Sequence, residues 1–286
     1  MDEKFLKEMF NSSKLPSVDF NLGDVSQEAQ KLTGKLSISG VQPKLSVKLD
    51  KKQNILIPVT KGGEYILKPQ IFTFPNIPEN EQCCMDIAEE LGVDIPPHCL
   101  IALKDGSFAY LVKRFDREKN IKFHQESFAQ ILQQPDKYKG SVEQIGRKLE
   151  TMPSVPGYDI QLFFERVVFN FIIGNGDAHL KNYSVSYKDK DIRLSPAYDI
   201  VCSKLVIPDE EDSAININGK KNKLQREDFD SLAEYLNIPA EVRYEKFENK
   251  FDTMKKIIEA SKINKEKQQR FIEIVKERLS RLRLAE

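Results

Sequence analysis

Asp177 and Asn182 lie five residues apart in the run Gly174-Asn175-Gly176-Asp177-Ala178-His179-Leu180-Lys181-Asn182. That is the D-x-x-x-x-N spacing of a kinase catalytic loop. Phosphoryl transfer asks for a carboxylate to accept the proton of an incoming hydroxyl, and for oxygen ligands that hold Mg²⁺ against the phosphates. Asp177 has the chemistry of such a base and Asn182 that of a metal ligand, while Lys181 could screen the transferred charge. Taken alone, the spacing also fits an ordinary turn closed by Asx caps.

Further residues of the same chemistry stand at the required places. Asp199, in Leu194-Ser-Pro-Ala-Tyr-Asp-Ile200, is a second carboxylate shortly after the loop, where kinases keep their principal Mg²⁺ ligand. Lys68 ends Tyr65-Ile-Leu-Lys68 and so sits at the end of an expected strand, the arrangement that reaches ATP phosphates, although standing alone it would read first as a solvated edge lysine. Ser37-Ile-Ser-Gly-Val-Gln-Pro-Lys44 precedes the first clear strand. Its single glycine makes a poor G-x-G-x-x-G loop, yet the backbone N–H groups around Gly40 and the Lys44 ammonium could still hold phosphate.

These residues need elements to position them. Leu45, Val47 and Leu49 alternate with Ser46 and Lys48, the pattern of a half-buried strand. Residues 53–60 and 64–68 read as two further strands around Gly62-Gly63, and 99–102 with 108–112 as a hairpin turning at Asp105-Gly106. A helix is expected over 79–91, stopped by Gly92. Beyond Phe115 helical segments dominate, at 125–132, 141–149 and 159–173. The last carries a broad apolar stripe of Ile160, Phe163, Phe164, Val167, Val168, Phe171 and Ile172 and delivers the chain to Gly174. Strands are expected at 183–187 and 191–194, and helices at 227–236, 240–260 and 265–284, the last capped by Asn264 with Arg278 on its buried edge. Asn218-Gly219 has the makings of a hairpin turn. A sheet-rich front and a helical back imply two lobes with the site in a cleft.

Composition narrows the classes. The 286 residues are 40% apolar and 31% charged, a globular balance that excludes collagen-like, mucin-like and wholly disordered chains. Forty-four basic residues match forty-four acidic ones, so no global field drives binding to nucleic acid or membrane. The four cysteines, at 83, 84, 99 and 202, lack zinc-ligand spacing and read as reduced, core-filling thiols. Neither a signal peptide nor a spanning segment is evident, and the expected location is the cytoplasm. His98 reads as structural, the 209–212 acidic run as solvated, and Lys220, Lys221, Lys223 and Arg226 as a solvated basic face, with contact to DNA or a partner as the lesser reading.

Taken in order, SGVQPK (39–44), YILKPQ (65–70), VKRFDR (112–117), GNGDAHLKN (174–182) and LSPAYD (194–199) resemble the HipA kinases, the toxin components of bacterial HipBA-type toxin–antitoxin systems. The resemblance runs over roughly 30–260. It implies an α+β, two-lobed protein-kinase-like fold: an N-lobe over 1–112, a hinge at 113–117 and a helical C-lobe over 118–286. It implies Asp177 as catalytic base, Asn182 and Asp199 on Mg²⁺, and Lys68 on the ATP phosphates. His179, Leu180 and Lys181 would line the nucleotide site, with Tyr198 packed beside it. Lys113, Arg114 and Phe115 would form the hinge whose backbone meets adenine, and Ser39, Gly40, Val41, Gln42, Pro43 and Lys44 would lie over the phosphates.

The sequence departs from the family at three points. Lys113 replaces a glutamate at the first hinge position, and Ile200-Val201 after Asp199 leaves no DFG-type phenylalanine switch. About 36 residues precede Ser37, where longer members carry an N-terminal subdomain. In this the chain resembles the short HipT kinases of tripartite HipBST systems, whose loop serines are autophosphorylated, which makes Ser37 and Ser39 candidate modification sites. The implied activity is an ATP- and Mg²⁺-dependent serine/threonine kinase acting on an aminoacyl-tRNA synthetase, with tryptophanyl-tRNA synthetase a first candidate, and causing growth arrest. The implied partners are a helix-turn-helix HipB-like antitoxin and a small HipS-like subunit, with DNA met only through them and no membrane. The alternatives are a small-molecule phosphotransferase and a non-catalytic antitoxin-binding subunit of a DNA-bound repressor.

Overall fold

The computed structural model describes residues 2–25, 43–71, 73–118 and 121–284. The chain divides into a first unit, Met1–Gln82 with Pro96–Ile121, and a second, Cys83–Ile95 with Lys122–Glu286. Residues 83–95 therefore group with the second unit, although they precede the expected hinge in sequence.

The first unit is built on a six-stranded sheet ordered β1-β3-β2-β4-β6-β5. Its strands are β1 (Ser17–Val18), β2 (Leu45–Asp50), β3 (Ile55–Pro58), β4 (Tyr65–Pro69), β5 (His98–Ala102) and β6 (Phe108–Lys113). β1 runs parallel to β3, and all other neighbours are antiparallel. The expected hairpin forms as β5–β6, with Gly106 in the left-handed region that its turn requires. Alternation along β4 sends Tyr65 and Leu67 into a core of Leu45, Val47, Leu56, Leu111, Met9 and Phe10. The Tyr65 hydroxyl donates to the Met9 carbonyl at 2.9 Å, which ties the short helix Glu3–Phe10 to the sheet. Ile66 and Lys68 point to the opposite face.

The helix Pro156–Ile172 runs through the second unit with one residue after another buried from Asp159 to Ile172, except Gln161. A helix covered on so many sides must neutralise its charges internally. Asp159, fully buried, is held by Arg193 at 3.0 Å, and Glu165 by Lys246 at 2.6 Å. A three-stranded antiparallel sheet of 124–127, 184–188 and 191–194 lies in the same unit. Here the structure corrects the reading of 125–132 as one helix. Gln125–Ser127 pair with Ser184–Ser186, and only Phe128–Ile131 are helical. The expected helix over 240–260 is also broken: 240–242 form a single 3₁₀ turn, Asn249 turns left-handed, and the helix proper is Phe251–Ala260.

Asn264 caps the last helix, Lys265–Arg281, by accepting the Lys267 N–H at 2.9 Å. Arg278 lies on its buried edge as expected and meets a partner that the sequence reading left in solvent. Asp212 is buried between Arg278 (2.5 Å) and Arg281 (2.5 Å), both stacked near the Phe171 ring. Burial pushes the Asp212 carboxyl up. The hydrogen bond from Arg281 and the Arg278 charge outweigh it and hold the group below the usual carboxylate range. A depressed folded value means stability that is present above the unfolded pKa, about 3.9, and is lost as pH falls through the folded one. Asp212→Asn should therefore cost about 3 kcal/mol in chemical unfolding at pH 7. The gap to wild type should close in unfolding curves taken in strong acid, and a gap independent of pH would refute the ionic account.

Three of the four residues of the basic cluster bond within the chain. Lys220 pairs with Asp228 at 2.8 Å, Lys221 donates to the Tyr138 carbonyl at 3.0 Å, and Arg226 donates to the Leu282 carbonyl at 2.9 Å. All four cysteines are buried and none is in a disulfide, and His98 is buried with Nδ1 against the Pro96 carbonyl. Among the described residues no helix is long and apolar enough to cross a membrane.

Candidate active site

Lys68 belongs to the central strand β4, on the face away from the Tyr65–Leu67 core, with only 4% of its surface exposed. The solvated-edge reading therefore does not apply. Its ammonium meets Glu81 Oε1 at 2.5 Å and lies 5.5 Å from the Tyr110 ring, the cross-strand neighbour on β6. Glu81 is 1% exposed and comes from the first turns of the helix Ile77–Glu90. Sequence reasoning did not single it out. Four glutamates fall in or near that helix, and only its orientation toward the sheet selects the one that faces Lys68.

In the second unit the helix Pro156–Ile172 ends into Gly174, whose φ of +71° supplies the left-handed residue that closes a helix. The Gly174 and Asn175 N–H groups then bond to the Phe171 and Asn170 carbonyls, at 3.1 and 2.8 Å. Gly176 is required for space: a Cβ there would strike the Glu211 carbonyl oxygen and the Glu210 carboxylate. Its N–H donates to Ser203 Oγ at 2.8 Å. Asp177 follows, half-buried, with its Oδ1 accepting the Tyr138 hydroxyl at 2.9 Å.

From Asp177 the chain makes a tight turn that presents the second pair of oxygens. The His179 N–H bonds to the Asp177 carbonyl and to Asn182 Oδ1, at 2.8 and 3.0 Å. The Asn182 amide N–H donates to Asp199 Oδ2 at 3.1 Å. Asn182 and Asp199 are thus brought together, 17 residues apart in sequence. Asp199 holds φ at +61°, a conformation costly for most side chains but tolerated by Asp and Asn. Two adjacent oxygen-bearing side chains, one of them a carboxylate, fit a hard divalent cation such as Mg²⁺.

The other sequence candidates divide by environment. His179 is buried, and burial, opposed by the Asp177 charge, holds its imidazole below the usual range, so the ring is neutral at pH 7. Leu180 is fully buried and packs toward Gly140, which makes it a core residue of the loop. Lys181 is exposed, and its carbonyl accepts the Tyr198 hydroxyl at 3.1 Å. The Tyr198 hydroxyl oxygen also lies 2.9 Å from Ser184 Oγ, which can donate to it. At the expected hinge the Lys113 and Arg114 N–H groups donate to the Pro97 and Glu64 carbonyls, so neither is open to a base. The Arg114 guanidinium is spent on a bidentate pair with Asp116 at 2.8 and 2.7 Å. The Lys113 ammonium bonds to the Glu8 carbonyl. Phe115 is half-buried. Pro43 and Lys44 lead into β2, with Lys44 exposed, while Ser37, Ser39, Gly40, Val41 and Gln42 lie outside the described residues.

The model of the HipA-like C-terminal domain family matches residues 36–277. The chain belongs to that family. The chain is 34% identical over 257 residues to "Putative kinase Y4dM" of Sinorhizobium fredii, covering 83% of this chain and 62% of the relative. It is 33% identical over 193 residues to a "Putative kinase" of Haemophilus influenzae, covering 62% and 55%. The chain thus spans little more than half the length of these curated relatives. Its fold is similar to a chain of the Shewanella oneidensis MR-1 HipA, HipB and operator DNA complex, with TM-score 0.71 and 18% identity over all of this chain and 71% of that one. It is also similar to the Helicobacter pylori proinflammatory kinase CtkA, with TM-score 0.59 and 16% identity over 93% and 95% of the two chains. The α+β, kinase-like fold class follows from these likenesses.

Proposed function

We propose that this HipA-like chain is a toxin-type serine/threonine protein kinase that transfers the γ-phosphate of ATP to a protein hydroxyl. The observation that carries the reading is the buried Lys68–Glu81 pair, found in a chain whose loop also carries Asp177 and in which Asn182 bonds to Asp199. A strand lysine held by a helix glutamate is the arrangement on which protein kinases rely to orient ATP phosphates. A lysine with no such task gains little from burial, because removing an ion pair from water costs several kcal/mol per ion.

In this reading Asp177 accepts the proton of the attacking hydroxyl, Lys68 binds phosphate oxygens, and Lys181 screens charge at the exposed rim. Asn182 and Asp199 would hold Mg²⁺, which when bound neutralises developing phosphate charge. Neutral His179 fixes the loop through its backbone. Recognition of adenine at 113–117 would have to use groups other than the Lys113 and Arg114 N–H donors. The substrate we infer is an aminoacyl-tRNA synthetase, tryptophanyl-tRNA synthetase first. The partners are a HipB-like antitoxin and a HipS-like subunit, with DNA met through them. The likeness to HipA supports the antitoxin part.

The test is to incubate purified protein with γ-labelled ATP, Mg²⁺ and a bacterial lysate. Label in phosphoserine of a protein supports the kinase reading; label confined to a small molecule replaces it with a phosphotransferase. The same samples address Ser37 and Ser39, for which we propose self-phosphorylation. Phosphate should map to these serines in wild type and be absent from Asp177→Asn, and equal occupancy in both would assign it to another kinase.

The metal assignment is tested at Asp199. Because φ is positive there, alanine would add backbone strain of about 1 kcal/mol, whereas asparagine would not. Asp199→Asn should keep the melting temperature of the free protein and abolish the Mg²⁺-dependent part of ATP binding in calorimetry. A large melting loss with binding intact would make Asp199 a structural residue.

A further inference from the structure

Tyr138 lies outside every motif discussed above, yet its hydroxyl donates to Asp177 Oδ1 at 2.9 Å. Tyr138 is 42% exposed, so core packing alone does not hold it in place. What holds it is the loop 134–140, which is fastened at several points. The Gln134 N–H bonds to the Ala129 carbonyl at 2.8 Å, and the Asp136 side chain accepts the Tyr138 N–H at 3.0 Å. The Lys137 carbonyl accepts the Leu180 N–H at 3.1 Å, inside the candidate catalytic loop itself. The Gly140 carbonyl accepts the Asn216 N–H at 3.0 Å, and the Tyr138 carbonyl accepts the Lys221 ammonium at 3.0 Å. The ring meets His179 edge-on with centroids 5.3 Å apart, and the Lys137 ammonium lies 4.7 Å from its centre.

Such anchoring fixes the phenol against one particular oxygen of Asp177. Burial first, then the Asp177 charge, pushes the Tyr138 phenol up to about 12. It therefore stays protonated near neutral pH and can only donate to the ionised carboxylate. A carboxylate has two oxygens, and a general base works when one of them faces the proton to be taken.

We propose that Tyr138 is a positioning residue for Asp177: its hydroxyl fixes Oδ1 and leaves the other carboxylate oxygen to receive the proton of the acceptor hydroxyl. The inference rests on the reading of Asp177 as base. In the step it serves, the acceptor O–H bond breaks as its oxygen bonds to the γ-phosphorus and ADP leaves. The proton goes to Asp177 and then to water. The loop 134–140 thereby becomes part of the kinase apparatus, with Lys221 of the basic cluster as its outer fastening.

The experiment compares wild type, Tyr138→Phe, Lys221→Met, the two combined, and Asp177→Asn. Each is assayed with γ-labelled ATP and Mg²⁺, with lysate protein as acceptor. Phenylalanine keeps the ring against His179 and removes only the donor. Its maximal rate should fall about 10- to 100-fold, less than the roughly 10²–10⁴-fold worth of a general base, while the KM for ATP and the melting temperature hold. Lys221→Met should show a smaller loss of the same kind, and the double variant should be no slower than Tyr138→Phe alone, as expected for residues acting through one contact. Full or raised activity in Tyr138→Phe, with Asp177→Asn inactive, would overturn the positioning role and leave the base in place. A change in KM with unchanged maximal rate would also overturn it. Activity in Asp177→Asn would instead remove the base reading itself. Should Tyr138→Phe fail to fold, Lys221→Met decides the matter by the same split between maximal rate and KM.

Discussion

Asp177→Asn should reduce phosphoryl transfer by about 10²–10⁴-fold while leaving ATP affinity and fold intact. The structure makes this substitution unusually clean. Asparagine retains Oδ1 to accept the Tyr138 hydroxyl, which wild type bonds at 2.9 Å. The turn after Asp177 is held by its backbone carbonyl and by Asn182, neither of which changes. Only the capacity to take a proton is lost. Expression of wild type should arrest growth, and the variant should not. Initial rates with γ-labelled ATP, beside nucleotide affinity from calorimetry, measure the effect. Equal toxicity and equal rates would remove Asp177 from the chemistry and favour a non-catalytic, antitoxin-binding role.

How far the sequence alone reached depends on the range of the interactions. Alternation and turn chemistry made β2, β4 and the β5–β6 hairpin legible, because Leu45, Val47 and Leu49 or Asp105-Gly106 carry their signal within a few residues. Gly92 and Asn264 were readable as helix punctuation for the same reason. Gln125–Ser127 were misread because the local pattern there is neutral, and pairing with Ser184–Ser186, almost sixty residues on, decides the conformation. The acidic run at 209–212 shows the same limit. Its composition says solvent, but Arg278 and Arg281, one turn apart on the last helix, draw Asp212 inside. In the candidate site, Asp177 and Asn182 were candidates from their spacing together with its context, and Asp199 from its place shortly after the loop. Tyr138 did not, since nothing in Asp136-Lys137-Tyr138-Lys139 says which residue 39 positions later its hydroxyl will meet.

Glu81 is the site residue the sequence hid most completely, and its replacement should have the largest effect on stability. In Glu81→Gln the Lys68 ammonium would stay inside a site where both side chains are at most 5% exposed, with the Glu81 charge removed. Breaking a buried pair by removing one partner costs about 3–5 kcal/mol. Even at the low end, that should lower the melting temperature by roughly 5 °C for a chain of this size. This loss alone would not separate a structural ion pair from one that serves ATP. The separation comes from replacing both residues, Lys68→Met with Glu81→Leu. Apolar pairs of similar volume often equal or exceed the buried ion pair they replace, so the double variant should recover most of the lost stability. Its ATP binding should not recover, because no cation then faces the phosphates from β4. Scanning calorimetry and nucleotide titration on wild type, Glu81→Gln and the double variant together check both halves. A double variant that is stable and still binds ATP as wild type does would mean that Lys68 and Glu81 only hold the helix Ile77–Glu90 to the sheet. A stable protein that has lost ATP would place the burial of this pair in the service of phosphate binding.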